Sequence, residues 1–412
     1  MLFTMRSTLS FWILSAVVCL GRSHHHLGHG QDTAADEDSN ALSLVSSANR
    51  EFAFNLYRKL STHPESKGKN VFYSPRSVSL ALAALAVGAR GDTHRQLFDG
   101  LGFNSSLLQQ TDVDRAFRAA LRNETSSSQD TSEGTAAFLD RKFQPNPDFL
   151  QVLKESYSTE AFNVEFAKKQ ESLDTINGYV SGKTGGKIDK LLDSVEDDVA
   201  MYLVSYIYFK GKWKTPFDPT RTRKENFTVD ENNKVLVDMM STEEFVDIYQ
   251  DLGLNTKVLH LPFNSTYSMV LLLPDNMEEL EKTICPVHVT KWLKWTKPRK
   301  YELYLPKFSI KTSYDMKDAL SEMGMTDMFG SSANLRGISE KAKLAVSKVV
   351  HKATLDVDEA GATAAAATGI GIMLLSFQTV PVLRFDRPFM VLIVDRTAED
   401  VLFVGKIVNP TL

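Results

Sequence analysis

The segment Gly178-Tyr-Val-Ser-Gly-Lys-Thr184 carries the residue types of a phosphate-gripping loop. It is one residue short of the spacing that wraps backbone N–H groups around a phosphate, so it does not read as a nucleotide site. His94 lies near Asp92 in the sequence. No serine can be matched to that pair as a nucleophile. The chain has no Gly-x-Ser-x-Gly, no His-Glu-x-x-His and no Cys-x-x-Cys, so no assembled hydrolase, zinc or dithiol chemistry is expected. Four histidines, His24, His25, His26 and His29, crowd a polar stretch near the N-terminus. Imidazoles bind metals, but a solvated tail is the simpler reading, and no metal or other cofactor is expected.

Two other groups of residues bear on function. Asn104, Asn123, Asn226 and Asn264 each begin an Asn-x-Ser/Thr acceptor pattern for glycosylation. Lys291, Lys294, Lys297, Arg299 and Lys300 lie within ten residues. The first three recur every third position and are expected on one helix face up to Pro298. Such a cluster attracts sulfated polyanions by releasing counter-ions; an ordinary solvated helix is the alternative. Arg115, Arg118 and Arg122 form a second cluster, diluted by Asp112 and Asp114.

The least ordinary stretch is residues 359–381, EAGATAAAATGIGIMLLSFQTVP. It is small and uncharged at first, then apolar without helical or strand alternation. Alanine favours a buried helix, but Thr363, Thr368, Gly369 and Gly371 weaken one. A flexible linker is disfavoured by Ile370, Ile372, Met373, Leu374, Leu375 and Phe377, since an exposed apolar run of that length normally binds something. It suits a protease bait, and its small residues would enter a sheet with few clashes.

These segments must be positioned by a chain of 412 residues with a formal charge of −4. That charge implies no general affinity for nucleic acid. Length alone suggests two or three domains. Residues 11–20 are an apolar run too short to span a bilayer, preceded by Arg6 and followed by small residues. This is the layout of a signal peptide over residues 1–23, with residues 24–46 a flexible polar tail. Cleavage would take the charge to −6 and leave Cys285 as the sole cysteine. A soluble, secreted, extracellular protein without membrane association is expected.

Phe52, Leu56, Tyr57 and Leu60 share a helix face. Pro75 suits a helix start before the Ala-rich run 78–87, and Asp148 a cap before Phe149. Residues 200–209 and 268–273 read as buried strands, and residues 390–394 and 401–404 as a hairpin. Blocks of helix and strand that do not alternate strictly favour the α+β class.

Several separated motifs carry a resemblance: Asn70-Val-Phe-Tyr-Ser-Pro-Arg-Ser77, Thr184-Gly-Gly-Lys-Ile188, Tyr208-Phe-Lys-Gly-Lys-Trp213, Leu305-Pro-Lys-Phe308, His351-Lys-Ala353, Asp386-Arg-Pro-Phe389 and Val404-Gly-Lys-Ile-Val-Asn-Pro410. In this order the chain resembles the serpins, over residues 47–412, and most closely the plasma antitrypsin and antichymotrypsin group. The resemblance implies one domain with three β-sheets, about nine helices and an exposed reactive-centre loop at about residues 360–384. It implies a monomeric inhibitor, not an enzyme. A serine protease cleaves the loop, forms an acyl-enzyme, and is trapped when the loop inserts as a new strand.

The family's usual distance from its hinge glutamate, here Glu359, places the reactive bond between Leu375 and Ser376, with Leu374 and Met373 as the register alternatives and Phe377 beside it. Leucine before the bond suits the apolar primary pocket of a chymotrypsin-like or elastase-like protease. The hinge would be Glu359, Gly361, Ala362, Thr363, Ala364, Ala365, Ala366, Ala367 and Thr368. Inserted, every second residue faces the core, and none of these from Gly361 on is charged or bulky. About ten new ladder bonds at ~1 kcal/mol each would release on the order of 10 kcal/mol, leaving the native state kinetically trapped. Ser74, Ser77 and His351 match the shutter under the opening sheet. Ser205 stands where the family often has asparagine, and its shorter side chain is expected to lose the direct bond or bridge it by water. Trp213 matches the breach tryptophan, and Lys307 with Glu359 a salt bridge near the hinge. Residues 291–300 resemble a heparin-binding helix, which makes heparin or heparan sulfate a candidate partner. Some relatives are hormone carriers, and that alternative stays open.

Overall fold

The computed structural model describes residues 33–124, 131–340, 343–360 and 380–412. The expected signal peptide, the four clustered histidines, and the expected loop positions Gly361 to Thr368 and Met373 to Phe377 lie outside the described residues.

The first helix, Thr33–Thr62, begins well before the expected end of the polar tail. Residues 33–46 are therefore helical, and only residues 24–32 of that tail lie outside the description. The spacing of Ala41, Val45, Ala48 and Phe52 explains this. They fall on one face and are all buried in the main core. Pro75–Gly88 is a helix with Pro75 in its first turn, and its Ala-rich run is almost wholly buried. Asp148 does not cap the helix Pro147–Tyr157. Asn146 stands at the cap and Asp148 lies in the first turn, where a carboxylate complements the helix dipole.

Five strands form one sheet in the order Phe308–Asp315, Lys348–Val357, Met201–Phe209, Thr131–Asp140, Glu160–Val164. Met201–Phe209 is buried at every position, as its sequence, apolar but for Ser205, suits a strand covered on both faces. It runs parallel to Lys348–Val357 through eight registered pairs, from Lys348 opposite Tyr202 to Leu355 opposite Phe209.

The remaining nine strands join one hydrogen-bonded network, which includes the antiparallel hairpin Phe389–Asp395 and Asp400–Ile407. Two of the three expected sheets are continuous here because the 18-residue strand Lys234–Asp251 takes part in both. It pairs with Arg223–Thr228 and Lys297–Pro306 along its length and with Thr256–Pro262 at its end. Nine α-helices accompany them among the described residues. One apolar cluster fills the space between helices and sheets and a second lies between the two sheets. A third lies under the helix Lys169–Lys183 and the segment after it, against the front of the five-stranded sheet.

Candidate functional site

The parallel pair in the five-stranded sheet is tied at three levels. Beneath it, Ser74 caps the helix Pro75–Gly88 by accepting from Ser77 N–H at 3.1 Å. Ser74 N–H donates to His351 Nε2 at 3.0 Å, and His351 Nδ1 lies 3.0 Å from Ser205 Oγ. His351 is fully buried, and desolvation pushes its pKa down to about 3 against a weaker opposing contribution from Ser205. The ring is therefore neutral, and because Nε2 accepts, Nδ1 carries the proton and donates to Ser205. The expectation that serine is too short is corrected: the bond is direct. Ser205 and His351 are registered opposite each other in the parallel pair, so strand register supplies the reach that the side chain lacks.

Ser77 Oγ donates to Glu133 Oε2 at 3.1 Å, and Arg76 pairs with Glu133 at 2.7 Å. Glu133 belongs to Thr131–Asp140, the strand beyond Met201–Phe209. It anchors the capped helix to the sheet, a role not read from the sequence.

At the upper end, Trp213 is buried. Its ring stacks on Phe263 at 4.6 Å, and its indole N–H donates to the Asp358 carbonyl at 2.7 Å. The backbone N–H groups of Trp213 and Phe217 donate to the carbonyls of Ala360 and Glu359, at 3.1 and 3.2 Å. Gly211 is required here, since a Cβ would meet the Phe263 ring at 2.5 Å. Lys307 pairs with Glu359 at 2.9 Å, and Thr222 Oγ1 donates to the other carboxylate oxygen at 2.8 Å. Burial pushes the Glu359 carboxyl up, but the bonds from Lys307 and Thr222 outweigh it and hold the group below its usual range. Glu359 is 12% exposed and Lys307 46%, so the pair is worth about 1 kcal/mol. Lys210 pairs with Asp358 at 2.8 Å, a contact also missed in the sequence. The signal was the run Asp356-Val-Asp358 at the end of a buried strand, where half-buried acids need partners.

The chain thus leaves the sheet at Ala360 through a fastened junction. It joins the nine-stranded network at the strand Val382–Arg384, which lies parallel to Lys297–Pro306. A family model described as serpin, serine protease inhibitor, matches residues 47–410. The chain belongs to the serpin family. It is 38% identical over 408 residues to an alpha-1-antitrypsin-like protein of Tamias sibiricus, covering 97% of each chain. The structure of human glycosylated kallistatin matches at a TM-score of 0.82 and 37% identity, over 90% of this chain and 99% of that one. Human thyroxine-binding globulin complexed with its ligand matches at 0.83 and 33%, over 90% and 100%.

In this serpin the basic residues 291–300 do not share one helix face. The helix Pro286–Trp295 carries Lys291 and Lys294 and ends before Lys297, which opens the strand Lys297–Pro306 with Arg299 and Lys300. The register with Lys234–Asp251, where Pro298 lies opposite Asp247, draws the chain into the sheet. Lys291 is held by buried Asp251 at 3.0 Å, which also accepts from the Trp292 indole at 2.8 Å and from Gly253 N–H at 3.1 Å. Lys300 pairs with Glu243 at 2.7 Å. In the second cluster, Arg115 pairs with Asp112 and Arg118 with Glu155.

Asn104, Asn226 and Asn264 are exposed. Asn123 lies on the helix Gln110–Glu124, with its side chain outside the description. Cys285 is buried, with Sγ 3.4 Å from His288 Nδ1. Among the described residues no helix is long and apolar enough to cross a membrane.

Proposed function

We propose that this serpin is a secreted suicide inhibitor of a chymotrypsin-like or elastase-like serine protease. The protease serine attacks the Leu375 carbonyl, the Leu375–Ser376 bond breaks, and the ester formed is trapped by loop insertion before water can cleave it. The observation that carries this reading is the parallel pairing of Met201–Phe209 with Lys348–Val357, together with the chain's exit from the second strand at Ala360. A strand folding back from that exit runs antiparallel to both neighbours. One parallel ladder of eight pairs is exchanged for two antiparallel ladders, which are slightly more stable per residue. The net gain is about one ladder, on the order of 10 kcal/mol. Ala362, Ala364, Ala366 and Thr368 can alternate into the interior without burying charge.

Secretion is supported by the N-terminal sequence and by the exposure of three acceptor asparagines. Lys294, Lys297 and Arg299 make no ion pair among the described residues, and they are the side chains we assign to a sulfated glycan such as heparin. The likeness to thyroxine-binding globulin favours a second reading, a carrier of a small hydrophobic hormone. Titration with thyroxine, followed by quenching of tryptophan emission, tests it.

The deciding experiment mixes the mature chain with chymotrypsin on a denaturing gel and sequences the released peptide. A stable band near the summed masses, with a peptide beginning at Ser376, is expected. Complete cleavage without that band would refute inhibition.

A further inference from the structure

Only two side-chain hydrogen bonds cross directly between the strands Met201–Phe209 and Lys348–Val357 among the described residues. One is the buried bond of Ser205 with His351. The other lies nearer the loop exit: Tyr208 Oη donates to Asp356 Oδ2 at 3.0 Å. The backbone of Tyr208 is registered with Thr354, so its ring reaches two residues past its own pair. It meets the neighbouring strand beyond the last registered pair, Phe209 with Leu355.

Asp356 is held from the other side as well. Ser309 Oγ donates to its Oδ1 at 2.6 Å, from the edge strand Phe308–Asp315. One carboxylate thus ties three adjacent strands. Burial, and after it the Asp356 bond, push the Tyr208 hydroxyl well above its usual range, so it remains a donor. Lys187 Nζ lies 5.7 Å over the Tyr208 ring. It comes from the segment that follows the helix Lys169–Lys183 and covers the front of the sheet.

We propose that Tyr208 is a positioning residue for loop insertion: its bond to Asp356 latches the upper end of the parallel pair and sets the rate at which the sheet opens. This rests on the insertion reading above. Neighbouring strands lie about 4.8 Å apart, and a strand inserted between these two doubles that separation, so the bond must break before the new strand is seated. The Ser309 bond does not cross the opening and survives it. The ion pair of Lys210 with Asp358 lies beyond the strand ends and is a second closure at the exit. Tyr208 differs from it in touching the covering segment, so the latch and the cover are released together.

The test compares the whole mature chain with Tyr208→Phe and Ser309→Ala. Phenylalanine keeps the ring and its contact with Lys187 and removes only the hydroxyl. Backbone hydrogen exchange is measured over residues 201–209 and 348–357, and uptake of a synthetic peptide of sequence 361–372 is timed by the rise in thermal midpoint. In Tyr208→Phe both rates are expected to rise about tenfold, the loss of one bond to a charged acceptor. Exchange in the hairpin Phe389–Asp395 and Asp400–Ile407 should stay unchanged, which separates local opening from general loosening. Ser309→Ala should change neither rate by more than about twofold. Unchanged exchange across the parallel pair in Tyr208→Phe, or an equal rise in Ser309→Ala, overturns the latch. Faster exchange in a protein that takes up no peptide supports the latch and instead sinks the insertion reading beneath it.

Discussion

His351 makes the closed sheet sensitive to acid, and the size of the effect follows from its burial. In the unfolded chain an imidazole titrates near 6.5, whereas here desolvation holds it down at about 3. Between those values the unfolded state binds a proton that the folded state refuses, so stability is lost as pH falls. Above pH 6.5 both states are neutral and the contribution is complete. Two units below pH 7.5 the loss reaches about 1.4 kcal/mol, and by pH 4.5 about 2.7 kcal/mol. When the proton finally binds, it takes Nε2, the atom that accepts from Ser74 N–H. The capped helix then loses its hold on the parallel pair. His260 and His288 are also held low, chiefly by burial, so the wild-type slope alone is not diagnostic. His351→Gln keeps hydrogen-bonding capacity without a titrating group in this range. The midpoint of the first urea transition at pH 7.5, 6.5 and 5.5 gives the comparison. The variant should be less stable at pH 7.5, and its loss on going to pH 5.5 should be smaller than the wild-type loss by about 1.4 kcal/mol. Parallel pH profiles for the two proteins would refute the assignment of the buried neutral ring.

Glu359→Gln keeps the Thr222 contact but removes the charge pair with Lys307; a loss of about 1 kcal/mol is expected as a lower thermal midpoint, and an unchanged midpoint contradicts it. The basic residues should separate into two kinds. Lys291→Ala removes the cation that balances buried Asp251, leaving it the Trp292 and Gly253 donors, and is expected to lower stability by about 2 kcal/mol in urea unfolding. Lys294→Ala with Arg299→Ala should leave stability unchanged and lower the salt concentration that elutes the protein from immobilised heparin. Equal behaviour of the two variants on the column would remove the glycan assignment. Thr368→Arg places a charge where an inserted strand faces the interior, at a cost of several kcal/mol. Chymotrypsin should then cleave the loop without forming the stable band, and undiminished complex formation would contradict the insertion geometry.

Much of the architecture is legible in the residues because local pattern and burial agree there. Met201–Phe209 is apolar at nearly every position and sits in the sheet interior. The hairpin at 389–407 alternates turn and strand signals where the structure has them. Readings that missed rested on a local pattern that another element or contact overrides. Lys291, Lys294 and Lys297 have helical spacing, yet the helix ends at Trp295, because pairing with Lys234–Asp251 claims the next residues. Polar composition at 33–46 hides the Ala41, Val45 and Ala48 stripe. Side-chain contacts across strands were the least legible. Ser205 and His351 are 146 positions apart, and only the parallel register brings a short serine within reach. Glu133 carries no motif, Lys210 sits in one that does not name its partner, and Asp356 shows only that it needs one; their roles come from which strands lie beside them.

The arrangement also explains how one sheet can be both durable and poised to change. In the insertion proposed above, the thermodynamic gain belongs to the backbone, about one ladder's worth. The side-chain closures that cross the opening are His351 with Ser205, Tyr208 with Asp356 and Lys210 with Asp358. Each is worth about 1 to 2 kcal/mol, so together they fall short of the order of 10 kcal/mol that a new strand supplies. They cannot reverse the preference for the inserted state, but they can set its rate if they break before the new ladder forms. Substitutions in them should therefore change how fast the sheet opens far more than the stability of the final inserted form. A Tyr208→Phe protein, once cleaved and inserted, should melt within a few degrees of the cleaved wild type even though it reached that state sooner. A large difference between the two cleaved forms would place the bond in the final state and remove it from the barrier.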